Sequence, residues 1–412
     1  MITLSPEPLD LETPVEWLIG EITPTERFFV RCHTLTPHVE LTNWKLEVAG
    51  TALTMDQLRR FPRADLISVL ECAGNGRRFF RPGMPGAQWR FGAVGNARWT
   101  GVRLRDVLER VGVRSSAAHV LFEGADMPMG KMPDFQRSLP LEKAMHPDTL
   151  LAWEMNGKPL TAEHGFPLRV VAPGWAGDSW IKWLTRIELL DHEHEGFWMK
   201  TAYRHPAKHM EPGAVVSTDA LVPVTDLNVK SVIAAPGPWA KPGIVTVQGV
   251  AWSNASPVRK VEISADGGRT WNAARLPGSP TKYGFRRFAW QWRAVEGKHT
   301  LISRATNDAG EMQPVEPEWN PSGYLYNAAQ PRAVVVGTTA PPMIPAAPRE
   351  VAAPAGYRES CLTCHDEHMM RQQRLTRAQW DREITKMTGW GAQVSDDRRG
   401  ALLDFLATRF GQ

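Results

Sequence analysis

The sequence predicts an α+β chain with three folded parts. These are a mixed α+β domain over residues 1–212, a β-sandwich over 213–329 and a small all-α module over 358–412, the last reached through a spacer at 330–357. Strand-like runs alternate with helix-like periodicity up to about residue 210, short strands alone follow, and the closing segment carries only helical periodicity. A length of 412 residues fits two or three domains, each able to bury its own core.

Taken in order, residues 1–40 read as loop-rich and end in Phe28-Phe29-Val30-Arg31-Cys32-His33. Leu66–Leu70 reads as a buried strand. Leu104, Val107, Leu108 and Val111 recur at helical spacing, and Gly112 stops that helix. Leu168–Ala172 reads as a strand and Pro173-Gly174 as the turn after it. In the second part, strands are expected at 244–251, 259–264, 288–293 and 299–305, with a turn at Asp266-Gly267-Gly268 and Phe288, Trp290 and Trp292 on one face. The proline- and alanine-rich run at 330–357, with its Pro341-Pro342 pair, predicts an extended spacer. In the module, Thr376 is placed to cap a helix bearing Trp380, Ile384 and Met387, and Leu402, Leu403, Leu406 and Phe410 line another.

Composition excludes some classes. Apolar content is 42% and charged content 22%, ordinary for globular proteins, although seventeen tryptophans is high. A formal charge of +4 without a basic, aromatic-interleaved stripe argues against nucleic-acid binding. No run of 18 apolar residues is present to span a membrane. Met1-Ile-Thr-Leu-Ser-Pro6 lacks the basic and apolar regions of an export signal.

The chemistry concentrates in two places. Glu71-Cys-Ala-Gly-Asn-Gly-Arg-Arg78 follows a strand and forces a sharp turn, putting Cys72 at a strand end near two arginines. Such surroundings favour the thiolate, the form that ligates a soft metal; a buried structural cysteine is the plain alternative. The second place is Cys361-Leu-Thr-Cys364-His365, a c-type haem attachment motif, with His365 an iron ligand. Met387 lies far enough along to bind iron from the other face, or else is a core methionine. His368 reads as a solvated surface residue, and His368, Met369 and Met370 follow His365 too closely to reach that face. Haem c is attached outside the cytoplasm, so a periplasmic protein is expected, its signal missing or upstream.

The Phe-Phe-Val-Arg31-Cys-His33 and Glu-Cys72-Ala-Gly-Asn-Gly-Arg77 segments, with Ala-Trp153-Glu-Met-Asn-Gly157, His164-Gly-Phe-Pro-Leu-Arg169 and Trp180-Ile-Lys-Trp-Leu184, resemble the sulfite oxidase family of molybdenum enzymes. Ala251-Trp-Ser253, Ser264-Ala-Asp-Gly-Gly-Arg-Thr-Trp271 and Trp319-Asn-Pro-Ser-Gly-Tyr324 resemble its immunoglobulin-like dimerisation domain, and the tail resembles small cytochrome c domains fused to redox enzymes. The resemblance runs from about residue 20 to 330. It implies a homodimeric molybdenum–molybdopterin enzyme that oxidises a small anionic sulfur substrate and sends electrons through covalently attached haem c to a soluble cytochrome c. It further implies Cys72 as the molybdenum ligand and Phe29, Arg31, His33, Asp126, His164, Arg169 and Lys182 as cofactor contacts, with Cys361 and Cys364 binding haem. Arg31, Arg77, Trp89 and Trp153 would form the substrate pocket. Taken alone, Asp126 could be a turn residue, Lys182 a solvated lysine and His164 a satisfied loop histidine.

Three positions depart from the family pattern. Trp153 stands where well-known members have a tyrosine, Cys32 where asparagine is usual, and Pro321-Ser322 where animal enzymes place an arginine. Cys32 is read as a small buried residue. Sulfite is the expected substrate; a protein-bound sulfane or another oxyanion is the alternative. A reading of a different class is a non-enzymatic electron-carrier cytochrome with a partner-binding front region.

Overall fold

The computed structural model describes residues 1–340 and 351–411. Its first domain is built on strand Arg63–Glu71, which pairs along its whole length with Val94–Arg103. Both are rich in apolar and β-branched residues, and their inward side chains reach a shared core. Val94–Arg103 pairs in turn with Leu150–Met155, which carries Arg169–Val171 and Lys158–Pro159. A second sheet runs in the order Thr51–Leu53, Leu46–Val48, Leu184–Leu190, His119–Gly124 and Gln136–Pro140. One core draws on both sheets, with Trp99, Phe122, Leu151, Val170 and Trp180 all buried.

The expected helix is present as Leu104–Val111. Leu104, Val107 and Leu108 are buried, and Gly112 ends the helix at φ 93°, which a side chain would resist. The first forty residues differ from the loop reading. Ile2–Ser5, Asp10–Glu12 and Val30–Arg31 form a three-stranded sheet that sets Asp10 opposite Arg31. These strands are two to four residues long, too short for periodicity to reveal.

The second domain packs a three-stranded sheet (Lys230–Ala235, Gly243–Trp252, Arg286–Ala294) against a five-stranded one. Val247, Phe288, Trp292, Ile263 and Leu301 fill the space between, so the alternation of Phe288, Trp290 and Trp292 faces the core. The Asp266 turn is closed by its own carboxylate, which accepts from the backbone N–H groups of Arg269 (3.0 Å) and Thr270 (2.9 Å).

The spacer expected at 330–357 needs correction at both ends. Arg332–Val336 is a strand of the five-stranded sheet, paired with Gly297–Leu301, and Val334 and Val336 enter the sandwich core. Proline and alanine dominate the wider window, but locally Val334-Val335-Val336 is a β-branched run with a sheet edge to join. At the other end, Tyr357 begins helix Tyr357–Cys361 and is buried. The Pro341-Pro342 pair lies outside the described residues.

Helices His368–Arg371, Arg377–Gly389 and Asp396–Arg409 complete the C-terminal module around Tyr357, Trp380, Ile384, Leu402, Leu403, Leu406 and Phe410. Thr376 caps its helix as expected, in a reciprocal box with Gln379. Among the described residues no helix is long and apolar enough to cross a membrane.

Candidate active site

Strand Arg63–Glu71 ends at a turn that delivers Cys72. The Cys72 N–H donates to the Ala93 carbonyl (2.9 Å), and the Cys72 carbonyl accepts from the Asn75 N–H (2.9 Å). Asn75 is locked in turn, donating to Glu71 (2.8 Å) and accepting from the Ala93 N–H (3.1 Å). Glu71 also accepts from two residues of the second domain, Lys230 (2.8 Å) and the Trp252 indole (2.6 Å). The Cys72 turn is therefore fixed from both domains.

Cys72 opens into a cleft enclosing about 710 Å³, part of it continuous with solvent. Phe29, Arg31, His33, Asp126, His164, Arg169 and Lys182 share its walls. The structure thus gathers, from segments far apart in sequence, every residue expected to hold a pterin. Burial pushes the Cys72 thiol up, against the opposing pull of the Gly74 N–H, Arg31 and Arg77. This corrects the thiolate-favouring surroundings expected from sequence: desolvation outweighs both arginines, and a bound metal cation is what would hold the sulfur as thiolate.

The cleft is rich in buried cations. Arg169 donates to the carbonyls of His164 (2.9 Å) and Trp180 (3.1 Å), while its buried Nε has no partner among the described residues. Burial, with nothing opposing it, lowers its pKa to about 9. Lys182 donates to the Glu163 carbonyl (2.8 Å) and to the Cys32 sulfur (3.1 Å); burial lowers its pKa. Neither has a carboxylate partner among the described ion pairs. Buried positive charge with donors to spare is the chemistry of a phosphate-bearing group. Cys32 is small and buried, as expected, and its thiol is engaged by Lys182.

His164 is held neutral, its pKa lowered to about 4 by burial and then by Arg169 and Lys182. Asp126 accepts from the Thr34 hydroxyl (3.3 Å), and burial raises it to about 6. Arg31 pairs with fully buried Asp10 at 3.1 Å. Burial alone would lower the Arg31 pKa, but Asp10 carries it upward.

Three expected residues stand outside the lining of the cleft. Arg77 folds back beneath the turn, donating to the carbonyls of Gly323 (3.1 Å) and Ala87 (3.2 Å) with its guanidinium 5.0 Å from the Tyr324 ring. A Cβ on Gly74 would come within 2.8 Å of that guanidinium, so a larger residue there would displace Arg77 from this position. Trp89 is wholly buried and meets Phe29 edge-on at 6.3 Å. Trp153 sits where the register of Leu150–Met155 shifts against Val94–Arg103, and packs into the core. Ser322 lies in a turn closed by Asn320.

Tyr203 is the residue the sequence reading missed. It lines the cleft at φ 54°, strained for a bulky side chain, and its hydroxyl is 2.6 Å from His33 Nε2. Its ring stacks on Tyr324 at 5.2 Å, and Arg137, paired with buried Asp178 at 2.5 Å, lies 5.4 Å from it. Burial keeps the phenol protonated and, first among several causes, holds His33 neutral, so Tyr203 donates and His33 accepts. The one available signal was scarcity: the chain has five tyrosines, and Tyr203, Tyr324 and Tyr326 gather here.

In the C-terminal module Cys361 packs against the core, Cys364 is exposed and His365 is half-buried. His365 Nδ1 lies 3.1 Å from the Asp366 carbonyl, leaving Nε2 as the nitrogen open to a metal. Met370 belongs to the core, whereas Met387 is half-buried and outside it, one to two turns beyond buried Trp380 and Ile384. Among the described residues no three His, Cys, Asp or Glu side chains cluster as metal ligands; of the two cysteines lining the cleft, Cys32 is engaged by Lys182 and Cys72 is the thiol left to a metal.

Comparison with known proteins agrees with this geometry. Residues 33–198 match the oxidoreductase molybdopterin binding domain and 222–334 the Mo-co oxidoreductase dimerisation domain. The chain is 37% identical over 352 residues to mitochondrial sulfite oxidase of Mus musculus, covering 79% of this chain and 63% of that one. It is 37% identical over 351 residues to sulfite oxidase of Gallus gallus, covering 79% and 75%. It therefore spans just under two thirds of the mammalian relatives. Among solved structures it is similar to the sulfane dehydrogenase SoxCD from Paracoccus pantotrophus, with a TM-score of 0.70 and 28% identity over 81% of this chain and 88% of that one.

Proposed function

The chain belongs to the sulfite oxidase family of molybdopterin oxidoreductases, and from that premise we propose that it is a sulfite dehydrogenase that passes electrons through its own haem c to a soluble cytochrome c. The observation that carries the substrate class is the cationic wall of the Cys72 cleft, where Arg31, Arg169 and Lys182 line one opening. Arg77, buried beneath the turn and outside that lining, adds positive charge near Cys72 and has no carboxylate partner among the described ion pairs.

The chain's own residues divide the work. Cys72 would ligate the metal, and the bound molybdenum cofactor would supply oxygen-atom and electron-pair transfer. Arg169, Lys182 and neutral His164 hold the phosphate and one edge of the pterin, and Asp126 and His33 hold polar ring edges. Arg31, kept in place by Asp10, orients the anion, Arg77 adds charge from beneath the turn, and buried Trp89 backs Phe29 on the wall while Trp153 belongs to the core. Sulfite plus one water gives sulfate, two protons and two electrons. Cys361, Cys364 and His365 would hold a haem c, with Met387 a second candidate ligand, and that group would supply one-electron transfer. The reading implies a periplasmic protein, since that is where haem c is attached, and a homodimer through the second domain.

A sulfane or another oxyanion is the second reading. It is favoured by the likeness to a sulfane dehydrogenase and by Ser322, which leaves the pocket one charge poorer than in animal relatives. Anaerobic mixing of oxidised protein with sulfite, followed by haem absorption on a stopped-flow instrument, separates the two. Rapid haem reduction that is lost in Cys72→Ser is expected. A molybdenum-replete sample that sulfite leaves oxidised would move the substrate to the sulfane class. Iron without molybdenum in purified protein would instead indicate an electron carrier.

A further inference from the structure

The C-terminal module is not merely tethered. Its side of the contact with the first domain is a row of glutamines. Gln372 accepts from the Gln88 N–H (2.7 Å) and donates to the Leu4 carbonyl (3.1 Å); Gln373 and Gln379 donate to the carbonyls of Gly86 (2.9 Å) and Gly83 (2.7 Å). Gln373 and Gln379 are both buried. The loop they grip, 83–88, is the one whose Ala87 carbonyl accepts from Arg77. At the far end of the same face the Trp390 carbonyl accepts from the Lys131 N–H (2.9 Å). The Trp390 ring meets Phe197 edge-on at 5.7 Å and Trp198 at 6.3 Å. Trp198 in turn lies 4.8 Å from His33, on the wall of the cleft.

None of the described ion pairs crosses this contact; those of the module, such as Arg399–Asp381 and Arg409–Glu367, are internal to it. A contact made of buried amides and aromatic rings is satisfied only in one register, because each displaced glutamine strands a buried donor or acceptor. The charge effect seen across it is a repulsion between Arg78 and Arg374, which salt would weaken, so salt is not expected to loosen the contact as it would a mobile domain steered by charge.

We propose that the module works from this single fixed seat, and that Trp390, three residues beyond Met387, is the positioning residue that sets its helix against the cleft through Trp198 and His33. The functional consequence rests on the haem and molybdenum reading above; the seat itself does not. Holding the electron-accepting module at one distance from the cleft makes transfer to it an intramolecular step with no docking search.

Two measurements on the full chain test this. Small-angle X-ray scattering at low and high salt reads the seat and needs neither cofactor. The wild type is expected to keep one radius of gyration, and Trp390→Ala combined with Gln379→Ala to expand. In the cofactor-loaded protein, Trp390→Ala should slow sulfite-driven haem reduction about tenfold, in proportion to the fraction still seated. The rate with a small-molecule acceptor should be unchanged, and Trp390→Phe should restore haem reduction. A wild type that expands with salt, or haem reduction in Trp390→Ala at the wild-type rate, would overturn the proposal. If the wild type lacks molybdenum or haem, the functional reading fails while scattering still decides the seat.

Discussion

Tyr203 shows what one side chain can settle. Its hydroxyl meets His33 Nε2 at 2.6 Å, so the proton of the neutral imidazole resides on Nδ1. Tyr203→Phe keeps the stack on Tyr324 and deletes only this hydrogen bond. The expected result is a His33 that samples both tautomers, seen by 15N NMR, and a lower molybdenum content at unchanged thermal stability. A loss of fold with no tautomer change would make Tyr203 merely structural. His164 offers a test by pH. Its folded pKa of about 4 lies below the ordinary 6.5, so the unfolded chain binds the extra proton as pH falls between these values. Stability present above pH 6.5 is lost toward pH 4, roughly 3 kcal/mol at most. Asp126, raised to about 6, works in the opposite direction over much of the same window. His164→Gln should therefore flatten the fall in Tm between pH 7 and 4.5, and Asp126→Asn should steepen it. The residue types at these positions were legible in the sequence. Their protonation was not, because burial sets it.

At the scale of the element, strand Arg332–Val336 moves the domain border. It supplies Val334 and Val336 to the sandwich core and pairs with the strand Gly297–Asn307, so a chain ending at 329 uncovers a sheet edge. Such a chain is expected to aggregate or to unfold its second domain at a lower temperature, while a chain ending at 340 keeps the wild-type transition of that domain in calorimetry. Equal transitions for both would return the border to 329. Strong periodicity and capping signals located the helices Leu104–Val111 and Arg377–Gly389. This strand was hidden because composition was averaged over a window in which its five residues were outnumbered.

At the scale of the molecule, the second domain does more than its sandwich suggests. Lys230 and Trp252 reach Glu71 at 2.8 and 2.6 Å, one residue from Cys72. Lys230→Met would strand a buried carboxylate, at a cost of about 3–5 kcal/mol, with a lower Tm and reduced molybdenum content expected together. Adding Glu71→Gln to Lys230→Met should recover most of the stability, since the uncompensated charge is gone. If the single variant kept full molybdenum content, the turn would be held by the first domain alone.

By itself the sequence determined the three-part pattern of strands and helices, the strand-to-turn placement of Cys72 and the haem motif, while the set of cofactor contacts was what the family resemblance implied. The first three are written in local periodicity, turn chemistry and motif spacing. Only the tertiary structure decided that Trp153 belongs to the core while Tyr203 stands in the cleft, that Asp10 answers Arg31, and that glutamines and Trp390 seat the module. Those pairings join residues tens to hundreds of positions apart. Their energies come from burial and desolvation, which depend on what surrounds a side chain and not on its neighbours in the chain.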